Sequence, residues 1–205
     1  MSINDQLYCI IDTEGSNMPI GDKKTVLVIT EVSYVFFKID KNKNIEIIDL
    51  GIFRLRYDLR EYMKDSKFRF QFNWIKNHYP NTFKKGYYYD KELTSYNSDD
   101  VKEIIINKIK SFNCEVYAKG IQLENLFFNN KIKINDLTKL GCPKYDDIKD
   151  KVAILNEMKK KISSEMLYEL QNELLNDVLL NSDVEQHISL NECLVFAYYL
   201  KLNLS

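Results

Sequence analysis

Leu7 to Ile11 is an unbroken apolar run that stops at Asp12. This is the pattern of a central strand covered on both faces, with the Asp at its carboxyl end. Val26 to Ile39, rich in Val, Ile, Tyr and Phe, predicts a second strand, and Ile45 to Leu55 a third. The polar stretch Lys41-Asn42-Lys43-Asn44 between them supplies a turn, so the pair reads as an antiparallel hairpin. Phe68 to Tyr79 predicts a short aromatic-rich helix closed by Pro80, with His78 in the loop beside it, and Asn81 to Asn97 a Lys/Tyr-rich loop. The period then changes. Val101, Ile104, Ile105, Ile109 and Phe112 recur at helical spacing behind Ser98 as candidate N-cap, with Asp99 and Asp100 in the first turn where the helix dipole favours them. Cys114 to Ala118 is a short strand broken by Gly120, Leu123 to Phe128 opens an amphipathic segment, and Ile132 to Leu137 is another strand. Ile162, Met166, Leu167, Leu170, Leu174 and Val178 predict one long helix, and Leu190, Cys193, Leu194, Ala197 and Leu200 a last one.

Strands and helices in this order make a mixed α/β protein. It resembles the ribonuclease H-like architecture rather than a doubly wound nucleotide-binding fold, because Asp12-Thr13-Glu14-Gly15-Ser16 stands where a Gly-rich phosphate turn would follow strand one. There is no repeat, no low-complexity linker and only 3 Pro, so residues 1–205 are expected to form one domain. With 45% hydrophobic and 29% charged residues a long disordered protein is excluded. Lys+Arg 29 against Asp+Glu 30 lacks the excess of a domain that grips duplex by blanket neutralisation of phosphates, which leaves local positive charge as the route to nucleic acid. No apolar run approaches the roughly 18 residues of a membrane span, and Met1-Ser2-Ile3-Asn4-Asp5 is unlike a signal peptide, so the expectation is a soluble intracellular protein, cytoplasmic or nuclear, with no membrane partner. Cys9, Cys114, Cys142 and Cys193 are widely spaced in a chain long enough to build its own core, so disulfides are the weaker reading of them.

The chemistry starts at strand one. Asp12 and Glu14, two residues apart, leave a strand on the same face and can share hard divalent cations such as Mg²⁺ or Mn²⁺. Phosphoryl transfer uses such cations because attacking and leaving oxygens both carry negative charge. A solvated strand terminus carrying two acids would look the same. The far end of the chain adds His187-x-x-x-x-Glu192, a His within reach of a carboxylate and able to act as general base on an activated water.

These residues carry a resemblance. Asp12-x-Glu14, Gly120-Ile121-Gln122-Leu123-Glu124 and His187-x-x-x-x-Glu192 are similar to the three motifs of the DEDDh exonucleases, in the same order and over nearly the whole chain. Two positions depart from that pattern, which has Asp where this chain has Glu124 and Glu192. Val116-Tyr117-Ala118-Lys119-Gly120, then Asp136-Leu137 with Leu140-Gly141-Cys142-Pro143-Lys144-Tyr145, then His187 to Cys193 with Phe196-Ala197 and Tyr199-Leu200, resemble the Maelstrom domain, a DEDDh-like family implicated in small-RNA silencing. That resemblance implies a zinc set of Glu, Cys, His and Cys, mapping onto Glu124, Cys142, His187 and Cys193, and one O, one N and two S donors suit tetrahedral Zn²⁺. Both sets claim Glu124 and His187. If zinc takes them, Glu192 completes the catalytic acids, with Asp136 the poorer candidate.

Blander roles compete. Cys142 and Cys193 read equally as buried small hydrophobes, as do Cys9 and Cys114, and Lys159-Lys160-Lys161 as a solvated helix face. Tyr87-Tyr88-Tyr89 after Gly86 is a candidate platform for unpaired bases. Two functions are therefore expected: a Mg²⁺- or Mn²⁺-dependent nuclease on single-stranded nucleic acid, preferably RNA, with a structural zinc, or a catalytically inactive RNA-binding module that works with small-RNA silencing proteins.

Overall fold

The computed structural model describes residues 6–55, 59–78, 96–172 and 189–204. Five strands, β1 (Leu7–Ile20), β2 (Lys24–Ile39), β3 (Ile45–Arg54), β4 (Glu115–Ala118) and β5 (Ile134–Asp136), form one sheet in the order β3-β2-β1-β4-β5. β1, β2 and β3 are antiparallel neighbours, whereas β4 and β5 run parallel to β1. The described helices are α1 (Ser66–His78), α2 (Ser98–Phe112), α3 (Gln122–Phe127), α4 (Lys151–Lys159), α5 (Ser164–Asn172) and α6 (Ser189–Asn203). The mixed sheet expected from the element order is present.

Strand alternation sorts the core. Tyr8 and Ile10 of β1, with Val35 and Phe37 of β2, meet Leu190, Cys193, Leu194 and Ala197 of α6 and Ile154, Leu155 and Met158 of α4. Cys9 and Ile11, with Val32, Tyr34 and Phe36, meet Val101, Ile105 and Ile109 of α2 and Phe127 of α3 on the other face. The far half of the β1–β2 pair has its own small core, where Met18 and Val28 pack on Phe68, Phe72 and Ile75 of α1. Complete burial of each Leu or Phe here contributes roughly 1.5–3 kcal/mol relative to exposure. Asp12 and Glu14 share parity with Tyr8 and Ile10, so they are presented on the face covered by α6.

Several boundaries differ from those read in the sequence. β1 continues past Asp12 to Ile20 and pairs with β2 as far as Lys24, turning at Gly21 with φ 57°. The acids interrupt the apolar pattern but not the backbone ladder. A bulge accompanies them: Glu14 opposes Glu31 while Gly15 opposes Ile29, leaving Thr30 as the extra residue, with its Oγ1 donating to the Glu14 carbonyl at 3.1 Å. Only glycine fits there, since a Cβ on Gly15 would strike the Val28 carbonyl and come within 2.8 Å of Ile29 Cα. α1 begins at Ser66, where Asp65 Oδ1 accepts from Lys67 N and Phe68 N, and it includes His78. Asn97, not Ser98, caps α2 by accepting from Asp99 N at 2.8 Å. The helix anticipated from Ile162 begins at Ser164 as α5, with Ser163 Oγ accepting from Met166 N at 3.2 Å, and α4 precedes it as a separate helix that the apolar spacing does not predict. The Lys run therefore straddles the end of α4 and the turn after it rather than one helix face. Leu174, Val178 and most of the loop Asn81 to Asn97 lie outside the described residues.

Candidate metal centre

Three carboxylates converge. Asp12 and Glu14 from β1 and Glu192 from the first turn of α6 each offer an oxygen, and these atoms all lie within 4.8 Å of one another. Asp12 and Glu14 are buried. Burial pushes the Asp12 carboxyl well above the usual range, and the neighbouring charges of Glu192, Glu14, Glu124 and Glu31 push it the same way.

Glu124 comes to the same place from α3. Its Oε1 accepts from Thr13 Oγ1 at 2.8 Å and Thr13 N at 3.2 Å, so the residue between the two strand acids tethers the helix carboxylate. Glu124 is 3% exposed, and burial raises it from about 4.5 to about 7 despite the Thr13 hydrogen bonds, with the Glu14 charge adding to the rise. Asp12 Oδ2 and Glu124 Oε2 are buried with no hydrogen-bond partner. Buried carboxylates that crowd one another and keep unsatisfied oxygens fit a hard divalent cation, whose charge and oxygen preference answer both costs.

The zinc-type residues are distributed differently. Cys193 is fully buried, its Sγ 3.6 Å from the Ser33 carbonyl, and its thiol is pushed up by burial and then by Asp12, Glu192 and Glu124. Cys142 is buried with its carbonyl accepting from Lys119 Nζ, and burial pushes its thiol up to about 11. Glu124, Cys142 and Cys193 do not make a group of ligand atoms within 4.8 Å. His187 lies outside the described residues, as does Tyr87-Tyr88-Tyr89. Asp136 serves its own turn, where its Oδ1 accepts from Thr138 N at 2.8 Å at the start of a 3₁₀ segment. All four cysteines are free thiols.

Two residues near the site carry no motif signal in the sequence. Thr13 stands there only as the spacer of Asp12-x-Glu14. Glu31 is a charged residue inside the apolar run of β2, and that anomaly is the one signal that could have found it. Glu31 sits opposite Glu14 in the ladder, 8% exposed.

The mixed sheet ordered β3-β2-β1-β4-β5 with its flanking helices has a solved counterpart. The nuclease domain of 3'hExo, a DEDDh family member solved bound to rAMP, superposes with a TM-score of 0.50 at 15% sequence identity, covering 99% of this chain and 93% of that one. The fold is that of the DEDDh nuclease domains. A full-length 3'-exonuclease, 13% identical, matches with a TM-score of 0.47 over 98% of this chain and 82% of its own. No family model matches, and no curated protein matches by sequence. On this DEDDh fold, no helix among the described residues is long and apolar enough to cross a membrane.

Proposed function

We propose that residues 1–205 form one domain acting as a metal-dependent nuclease on single-stranded nucleic acid, preferably RNA. The observation that carries the reading is the convergence of Asp12, Glu14 and Glu192 within 4.8 Å on a DEDDh-type fold. Asp12, Glu14 and Glu192 would hold Mg²⁺ or Mn²⁺, with Glu124 beside them. Such cations stabilise the charge that develops on the attacking and leaving oxygens of a phosphodiester. Thr13 holds Glu124 in register with the strand acids, the β1 ladder fixes Asp12 and Glu14, and His187, five residues ahead of Glu192, is assigned the proton of the attacking water.

The substrate class is supported by α1, which flanks the far half of β1. Over Ser66–His78 it carries Lys67, Arg69 and Lys76 and no acidic residue, in a chain of net charge -1. Lys67 is paired with Asp22 at 2.6 Å. Phe70 is 71% exposed, and Trp74, 41% exposed, stacks on His78 at a ring separation of 4.3 Å. Cations interleaved with open rings suit phosphates and unpaired bases.

Cleavage of labelled single-stranded RNA with Mn²⁺ is expected from the parent and to fall at least 100-fold in Asp12→Ala, with Trp74→Ala weakening substrate affinity several-fold. Equal activity in parent and Asp12→Ala rejects the reading. RNA binding without cleavage in both selects the inactive module of a silencing pathway instead. The Maelstrom-type zinc is a second metal proposal for Glu124, Cys142, His187 and Cys193, resting on their O, N and S donor chemistry, while the ligand atoms of Glu124, Cys142 and Cys193 stand further apart than those of the acidic cluster. Elemental analysis of the same preparations checks it: one zinc per chain retained after purification supports it, and none removes it.

A further inference from the structure

Behind the acids, α6 is tied to the sheet by a buried polar network. Glu31 Oε1 accepts from both Ser189 N at 3.0 Å and Ser189 Oγ at 2.7 Å. Ser189 Oγ also lies 2.5 Å from Ser33 Oγ, and Glu31 Oε2 faces Arg54 Nε at 3.4 Å. Glu31, Ser33, Arg54 and Ser189 are each no more than 8% exposed. Ser189 is the first residue of α6, and Glu192 follows in the same turn. A helix begins with backbone N–H groups that have no partner within it and with partial positive charge, and a buried carboxylate answers both. This carboxylate belongs to the strand paired with β1, one ladder position from the acids it serves: Glu31 opposes Glu14, and Ser33 opposes Asp12.

Resting on the nuclease reading, we infer that Glu31 is a positioning residue, which through Ser189 fixes the first turn of α6 and so the reach of Glu192 towards Asp12 and Glu14. The network uses the two β2 residues that lie across from the strand acids, so the distance between Glu192 and its partners is set through one pair of adjacent strands. The core contacts of α6 begin at Leu190 in its first turn and continue through Cys193, Leu194, Ala197 and Leu200. They are non-directional and press the helix onto the sheet, whereas the Glu31–Ser189 hydrogen bonds are directional and add a fixed register at its first residue. Carboxylate ligands are oriented by such outer partners, whose loss typically costs 10–100-fold in metal affinity or activity.

The test is direct Mn²⁺ binding, read from the free-ion resonance, for the parent, Asp12→Ala, Glu31→Ala, Glu31→Gln and Ser189→Ala, together with hydrogen exchange of the amides at Ser189–Glu192 in metal-free protein. Glu31→Ala and Ser189→Ala are expected to bind Mn²⁺ at least 10-fold more weakly, to exchange those amides faster and to lose kcat with KM for RNA unchanged. Glu31→Gln, whose amide oxygen still accepts from Ser189, is expected within about threefold of the parent. Should Glu31→Ala fail to fold, the double variant Glu31→Ala/Arg54→Met, which removes both charges of the buried pair, replaces it beside Ser189→Ala, which removes the hydroxyl bonds to Glu31 and Ser33 and keeps the backbone N–H bond to Glu31. If Asp12→Ala loses Mn²⁺ while Glu31→Ala and Ser189→Ala bind like the parent, the positioning inference is overturned and the nuclease reading stands. A Gln variant as weak as the Ala variant overturns it as well. A parent that binds no Mn²⁺ overturns both.

Discussion

Asp12 is held among Glu14, Glu31, Glu124 and Glu192, and the charges of all four disfavour its ionised form. In metal-free protein this crowding is a cost, because the Asp12 charge is removed from water and set among like charges. Asp12→Asn, which keeps the shape and removes the charge, is expected to raise the metal-free melting temperature by roughly 2–6 °C, about 1–2 kcal/mol for a chain of this size. Calorimetry in chelator checks it, and a lower melting temperature would contradict it. The pH dependence follows from Glu124, raised in the folded state from about 4.5 to about 7. A carboxyl raised on folding binds more protons folded than unfolded between those values, so metal-free stability is greater on the acid side and falls as pH climbs through 7. Added Mn²⁺ is expected to cancel that fall. At this scale the sequence is informative about identity: spacing singles out Asp12, Glu14 and Glu192, and the family resemblance adds Glu124. It is silent about Thr13 and marks Glu31 only as a charge inside an apolar run, because the roles of both depend on which residue lies across a strand or helix contact.

Elements read well where one face is buried and poorly where polar residues continue a ladder. α2 and α6 follow from apolar spacing, and β2 and β3 from β-branched and aromatic content. β1 reads too short because Asp12 to Ser16 resembles a loop in composition, although its partner strand pairs with it as far as Ile20. α4 goes unread because no apolar period is recognised over Lys151–Lys159, whereas α5 starts close to the expected Ile162, with Ser163 as the cap that marks it. The Glu14/Gly15 bulge is the element-level feature on which the site depends. Gly15→Ala forces a Cβ into the β2 backbone, so a loss of about 1–3 kcal/mol is expected from overpacking alone. Because that shift would occur beside Glu14, Mn²⁺ affinity should fall with it, and isothermal titration with thermal melting of the variant tests both. An unchanged melting temperature would show that the two strands can part there without penalty.

Across the whole molecule the site gathers residues 12 and 14 from the first strand, 124 from a short helix after the fourth, and 192 from a helix near the other end of the sequence. The mixed sheet that makes this possible is legible in the element order, whereas the convergence of the acids requires the register of β1 on β2 and the seat of α6 across it. That arrangement gives the protein a clock. On the ribosome the first three strands emerge long before α6, and a nascent chain displays Asp12 and Glu14 with no Glu192 to join them. The same late helix also covers Ile10, Val35 and Phe37, so completing the acidic cluster and closing that side of the core are a single event. A chain released early would lack the third acid of the cluster and stay exposed as a folding intermediate, and quality control that clears sticky fragments would remove unfinished copies without having to recognise what their site lacks.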